Sequence, residues 1–223
     1  MTSIHTPVRI GVMGLGEFGR LHALTLAGLA EARLAALVAR RQASLDALSP
    51  ALPGVPGWVD LERALRDSDA EAWVVASTTG SHVAIAERLL RAGYPVLVEK
   101  PLAPTLAEAE RLAPLVAVDS ANLMAGHILL FNSEFRTLRE ETGRRGDLAY
   151  IAAARHRPVE TLVRYPGESP LHLLMVHDLY MALSLTERRE PVGFGAQAHR
   201  NTEGALDLAL AQIRWADGLL ASL

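Results

Sequence analysis

The chain contains no cysteine, which excludes a disulfide framework, a thiolate nucleophile and a zinc–thiolate site. No apolar run approaches the roughly 20 residues needed to cross a bilayer. The first residues also lack the charged start and apolar stretch of a secretory leader. The expectation is a soluble, cytoplasmic protein with no membrane partner. Charge is nearly balanced, with 22 Lys+Arg against 25 Asp+Glu and a pI near 6.2, so no broad positive field invites nucleic acid. The arginine-rich stretches Arg136–Arg145 and Arg155–Arg157 read as solvated faces. The 8 histidines show no His-Glu-x-x-His or comparable spacing, which disfavours a metal site. Internal repeats and low-complexity segments are absent. Apolar residues are plentiful: half of the 223 residues are hydrophobic, enough for a sizeable core in one large domain or two small ones.

The most specific local pattern is Gly14-Leu15-Gly16-Glu17-Phe18-Gly19. It follows the β-branched apolar run Val8–Met13, which reads as a buried strand, and precedes Arg20–Leu29, which favours helix. In the spacing G-x-G-x-x-G, Gly14 permits a tight turn, Gly16 lets a pyrophosphate approach the backbone, and Gly19 lets helix pack on strand. Unsatisfied N–H groups and the positive end of the dipole at the helix start would hold the phosphates.

Strand and helix patterns then alternate. Strands are read at Leu34–Ala39, Ala72–Ala76, Val96–Glu99 and Leu123–Ala125, with a small element at Trp58-Val59. Helices are read from Asp60 to about Arg66, over Ser81–Ala92 and from a Thr105 cap to about Val116. Such alternation implies a doubly wound parallel sheet of the Rossmann type over residues 1–126. Gly14, Ala39, Ser77 and Lys100 all fall at carboxyl ends of strands, where ligands of such sheets bind. Beyond residue 126 the rhythm changes. A helix at Ser133–Glu141, a strand at Leu148–Arg155, a loop, a helix from Pro170 to about Leu185, and strands at Val192–His199, Ala205–Trp215 and Leu219–Leu223 predict an α+β domain over 127–223. Its sheet is expected to be antiparallel, open and incomplete.

Five segments, taken in order, resemble the Gfo/Idh/MocA oxidoreductases, the glucose–fructose oxidoreductase and inositol dehydrogenase family. They are the glycine loop, Ser77–His82, Gly93–Ala103 with Glu99-Lys100-Pro101 at its centre, Gly126-His127 through Asn132, and His177-Asp178-Leu179. The resemblance implies an NAD(P)-dependent oxidoreductase acting on a small polar substrate such as a sugar, cyclitol or sugar derivative. It implies a catalytic or substrate-orienting role for Lys100 and a proton donor or acceptor in His177. The residues implied for the cofactor are Gly14, Leu15, Gly16, Glu17, Phe18, Gly19, Ala39, Arg40, Arg41, Ser77, Thr78, His82, Glu99 and Lys100. Hydride transfer at a carbinol also moves a proton on oxygen, and histidine, with an unperturbed pKa near 6.5, is closer to that task than lysine near 10.4. The residues alone leave plainer readings open: a strand-end lysine at Lys100, a packing histidine at His177, and a packing or backbone-bonding His82.

Two departures stand out. Where the family pattern often carries Asp four residues before the helix histidine, this chain has Leu173, and on an α-helix the neighbouring His172 points about 100° away. That favours a second reading, a noncatalytic nucleotide-binding or regulatory relative. The chain also stops in what reads as a strand, earlier than family members usually do. An uncovered sheet face would be closed most simply by a second copy, giving a homodimer. Cofactor choice turns on Ala39-Arg40-Arg41, which stand where NAD-selective sites carry Asp or Glu. The pattern favours NADP over NAD, with two merely exposed arginines as the alternative.

Overall fold

The computed structural model describes residues 6–117, 121–158, 160 and 169–223. The chain divides into two compact units, Met1–Gly126 and His127–Leu223. The first is built on β1 (Val8–Met13), β2 (Ala32–Val38), β3 (Gly57–Trp58), β4 (Ala72–Val75), β5 (Val96–Val98) and β6 (Leu123–Ala125). They form one parallel sheet in the order β3-β2-β1-β4-β5-β6. The order reverses between β1 and β4, which creates the crevice at their carboxyl ends.

Side chains alternate across the strands and fill both faces. Trp73 and Val75 of β4 point into one core with Val38, Val96 and Val98. There they meet Ala64 of α3 (Leu61–Asp67) and Val83, Ala86 and Leu89 of α4 (Thr79–Arg91). Val74 points the other way, joining Val12, Leu34 and Leu37 against Ala23 and Leu26 of α1 (Glu17–Ala27) and Leu45 of α2 (Gln42–Asp46). The helix expected from Thr105 to Val116 is shorter. Thr105 does cap it, accepting from the Glu108 N–H, but α5 ends at Glu110 (Leu106–Glu110) and a 3₁₀ turn at Ala113–Leu115 follows. Pro114 explains the break, since its ring cannot continue an α-helical ladder.

The second unit contains α6 (Ser133–Arg145), β7 (Tyr150–Ala152), α7 (Val176–Leu185), β8 (Gly193–Arg200), β9 (Leu206–Arg214) and β10 (Leu220–Ser222). Asn132 caps α6 by accepting from the N–H groups of Glu134 and Phe135. The sheet order is β7-β10-β9-β8. It is mixed rather than antiparallel, because β10 pairs parallel with β7 while β8, β9 and β10 alternate direction. β7 and β10 are joined through α7 and a hairpin rather than by a tight turn, so nothing local forces them antiparallel. The loop expected between β7 and the helix falls largely outside the described residues. One sheet face packs Ala211, Ile213 and Ala221 with Met175, Leu219 and Trp215. The opposite face exposes Tyr150, Leu208, Leu210 and Leu220.

Candidate active site

The glycine loop leaves β1 and enters α1 with little space to spare. Gly14 has φ +94°, and a Cβ there would lie 2.5 Å from the Ser77 backbone nitrogen. A Cβ on Gly19 would lie 1.8 Å from the Gly14 carbonyl oxygen. Both positions therefore exclude a side chain, one through conformation and close approach, the other through approach alone. Gly16 behaves differently. It is the N-cap of α1, a Cβ built on it meets nothing within 4 Å, and no side chain caps the helix. The start of α1 thus presents backbone donors to open space, a fitting seat for a pyrophosphate. Leu15 turns into the core, while Glu17 and Phe18 are exposed at the loop.

Four neighbouring strands, β2-β1-β4-β5, deliver the remaining residues to the same edge. After β2, Ala39 is buried and hydrogen-bonded through its N–H to the Trp58 carbonyl, and Arg40 and Arg41 are exposed. Among the described residues neither arginine is in an ion pair, whereas Arg33 pairs with Asp69. After β4, the Ser77 hydroxyl lies 2.7 Å from the Ser81 hydroxyl, and Ser81 donates to the Thr78 carbonyl. That bond tightens the first turn of α4, which begins at Thr79 rather than at Ser81. After β5 come Glu99 and Lys100.

Two histidines flank this last pair. His22, on α1, places Nε2 2.7 Å from Glu99 Oε1. The other carboxylate oxygen accepts the backbone N–H of Lys100 at 3.1 Å. Burial pushes the Glu99 carboxyl up, but the hydrogen bond and charge of His22, with the Lys100 amide and ammonium, outweigh it and hold the carboxyl below its ordinary value. His82 is 2% exposed, with Nδ1 2.9 Å from the Pro101 carbonyl and Nε2 3.0 Å from the Ser77 carbonyl. Its ring ties the two loops together from behind, so its contribution at the crevice is bracing.

In the second unit, His177 lies on α7 with Nδ1 2.6 Å from the Tyr180 hydroxyl. The Leu129 N–H donates to that hydroxyl oxygen at 3.3 Å, so the phenol links the imidazole to the backbone before α6. The Tyr180 ring also packs on His127, with centroids 4.1 Å apart. Asp178 is buried and bound through both oxygens by Arg155 Nε, at 2.8 and 2.9 Å. The helix before His177 is not α-helical: Leu171–Met175 form a wide turn in which the Val176 N–H donates to the Leu171 carbonyl. Such a turn takes in an extra residue and shifts the helical phase by one. The i, i+4 spacing that relates position 173 to His177 on an α-helix therefore does not carry through this stretch.

Three signals escape a reading by motif. Tyr180 sits three residues after His177, a spacing that brings helical side chains together. His22 and Glu99 are 77 residues apart, beyond any local pattern. The third is a count: of the 22 basic residues 21 are arginine, and Lys100 is the single lysine of the chain. Arginine stays charged, whereas lysine can gain and lose a proton. The one lysine stands at the carboxyl end of β5, on the same sheet edge as the glycine loop.

Residues 8–127 match the family described as Gfo/Idh/MocA, an oxidoreductase family with an NAD-binding Rossmann fold. The chain belongs to this family. It is 31% identical over 183 residues to the uncharacterized oxidoreductase YhhX of Escherichia coli K12, spanning 80% of this chain and 53% of that protein. It is 30% identical to an inositol 2-dehydrogenase of Rhizobium meliloti 1021, over 86% of this chain and 58% of that one. Among solved structures, UDP-N-acetylglucosamine 3-dehydrogenase GnnA from Acidithiobacillus ferrooxidans superposes with a TM-score of 0.85 at 26% identity. That match covers 98% of this chain and 69% of GnnA. The chain spans about half the length of the curated relatives it matches. No helix among the described residues is long and apolar enough to cross a membrane.

Proposed function

We propose that the chain is an NADP-preferring oxidoreductase, able to use NAD, that transfers a hydride between the cofactor and a carbinol carbon of a sugar, cyclitol or sugar derivative. The observation that carries this reading is the linear order of groups along the sheet edge. The exposed arginines follow β2, the glycine loop follows β1, Ser77 and Thr78 follow β4, and Lys100 follows β5. At about 4.8 Å per strand, these stations span roughly 14 Å. The ribose end of a dinucleotide would lie at the arginines, its pyrophosphate at α1 and its reactive ring toward Lys100. The inositol and UDP-sugar dehydrogenases among the relatives support the substrate class.

When bound, the nicotinamide supplies the acceptor or donor of the hydride. Lys100 handles the accompanying proton. As a neutral amine it takes the proton from the carbinol oxygen as the carbonyl forms, and as an ammonium it returns that proton on reduction. The charge of Lys100 helps hold the Glu99 carboxyl below its ordinary value, and an ammonium beside a carboxylate suits the acid and the electrostatic clamp. His177, on α7, is the second group read as handling a proton. A panel of cyclitols, sugars and nucleotide sugars, assayed for NADPH formation, tests this directly. Turnover is the expected outcome.

The stretch Leu171–Met175 before His177 carries no carboxylate, which favours one other reading, a noncatalytic nucleotide-binding or regulatory relative. Binding of NADPH, followed by fluorescence, is common to both readings, and turnover separates them. A cytoplasmic location fits either, since it asks no disulfide of a cysteine-free chain.

Cofactor preference has its own test. A guanidinium at Arg40 or Arg41 can meet a 2′-phosphate in a charge-assisted contact of about 1.5–3 kcal/mol, while the buried Ala39 offers the ribose no side-chain acceptor. NADPH should therefore bind at least about tenfold more tightly than NADH at one salt concentration. Arg40→Ala with Arg41→Ala should remove that difference. Equal affinities in the unaltered protein would show that the arginines face only solvent.

The exposed sheet face of the second unit is read as the seat of a second copy. Tyr150, Leu208, Leu210 and Leu220 present apolar area on a surface that a two-fold axis can match to itself. Light scattering at micromolar concentration should report a homodimer, and Leu210→Asp should shift it to monomer. A stable monomer before substitution would refute the assignment.

A further inference from the structure

We propose that His22 is a positioning residue for Lys100, holding Glu99 from α1 so that the carboxylate fixes the backbone from which the lysine departs. The inference rests on the reading of Lys100 as the proton-handling group. His22 lies on the same helix whose uncapped start receives the pyrophosphate, six positions after Gly16. Its ring and the Glu99 carboxylate are 26% and 16% exposed, so the 2.7 Å pair is partly shielded from water. Partial burial gives such a bond more strength than a surface pair and less tolerance of displacement.

The carboxylate is fully engaged. Oε1 meets His22 and Oε2 accepts the Lys100 N–H. On its far side a Cβ at Gly126 would stand 3.1 Å from Glu99 Cα and 3.2 Å from Oε2, so the close backbone leaves the side chain little freedom. Beyond Lys100, the Pro101 carbonyl is held by His82. The lysine is therefore clamped on both sides, by a histidine from α1 through Glu99 and by a histidine from α4 through Pro101. Without His22 the Glu99 carboxylate keeps its burial and loses its strongest partner. It must then turn toward water or toward Lys100, and either motion shifts the ammonium. A displacement of about 1 Å can cost on the order of 100-fold in rate without changing what binds.

The test uses the full chain with His22→Ala and His22→Gln, the second keeping an N–H donor of similar reach without a titratable ring. Reductive ¹³C-methylation gives Lys100 a single ε-dimethylamine resonance, because the chain has no other lysine. In His22→Ala we expect that resonance to shift and its titration midpoint to move, with kcat about tenfold lower or more. The dissociation constant for NADPH should stay within about twofold, and His22→Gln should recover most of each change. An unmoved Lys100 resonance in a folded His22→Ala protein would overturn the proposal. So would a kcat loss shared equally by His22→Gln, or matched by a loss of cofactor affinity. The resonance reads positioning whether or not Lys100 handles the proton. If Lys100→Ala retains turnover, the catalytic reading fails, and the His22 resonance data still decide the positioning.

Discussion

Replacing Lys100 by alanine is expected to lower kcat by at least about 100-fold while the dissociation constant for NADPH changes by less than about twofold. The size is that of general acid–base help withdrawn from a positioned proton transfer. The split follows from placement. Lys100 stands at the end of β5, whereas the groups suited to the phosphates stand after β1, two strands away in the sheet. Lys100→Arg is the more telling variant. It retains the charge, which suffices if the side chain only clamps an oxygen, but a guanidinium does not give up its proton. Arg rescuing more than about a tenth of the activity would assign an electrostatic role. Arg as poor as Ala would assign proton transfer. Near-normal turnover in Lys100→Ala would remove the lysine from the mechanism. Steady-state kinetics on the best substrate from the panel, with NADPH affinity measured alongside, distinguishes these outcomes.

The second large effect concerns the glycine loop, where Gly19→Ala and Gly16→Ala should fail in different ways. A Cβ at Gly19 would fall 1.8 Å from the Gly14 carbonyl oxygen, a backbone atom that cannot rotate away. Helix α1 must then lift off the loop, disturbing the packing of Ala23 and Leu26 as well as the phosphate seat. Overpacking of this kind costs about 3 kcal/mol, a large share of a typical domain's stability, and should lower Tm by on the order of 10 °C. At Gly16 a Cβ meets nothing and φ is −70°, so alanine is accommodated by the protein itself. There the methyl occupies the space a pyrophosphate would use. Tm should hold within about a degree or two while NADPH affinity falls by about tenfold or more. Thermal melts and fluorescence titrations of the two variants provide the check. A Gly16→Ala protein that binds as tightly as the unaltered chain would place the phosphates elsewhere.

Much of this architecture could be read from the order of residues, and the exceptions have physical causes. The β-branched runs at Val8–Met13 and Val96–Val98 and the glycine spacing were legible because each is set by neighbours in the chain. Helix α2 was missed: it has five residues and only Leu45 is buried, too little to show a 3.6-residue period. The parallel pairing of β7 with β10 joins segments about 70 residues apart and leaves no mark on either strand alone. The wide turn at Leu171–Met175 defeated the comparison of Leu173 with His172, since helical spacing assumes an α-helix on both sides. At the crevice, the residues expected on the sheet edge were identifiable by motif, but the partners that hold them were not. His22 reaches Glu99 only because α1 packs beside β5's neighbours in the folded sheet. The singular lysine needed no structure at all, only a count of lysine against arginine.

We propose that Lys100 stands at the reactive end of a bound nicotinamide dinucleotide. The most direct test is the ¹³C-dimethyl resonance of this single lysine, followed as NADPH is added to the unaltered chain. The resonance should shift saturably, with the dissociation constant obtained independently from NADPH fluorescence. A resonance that stays in place while fluorescence shows the nucleotide fully bound would contradict it.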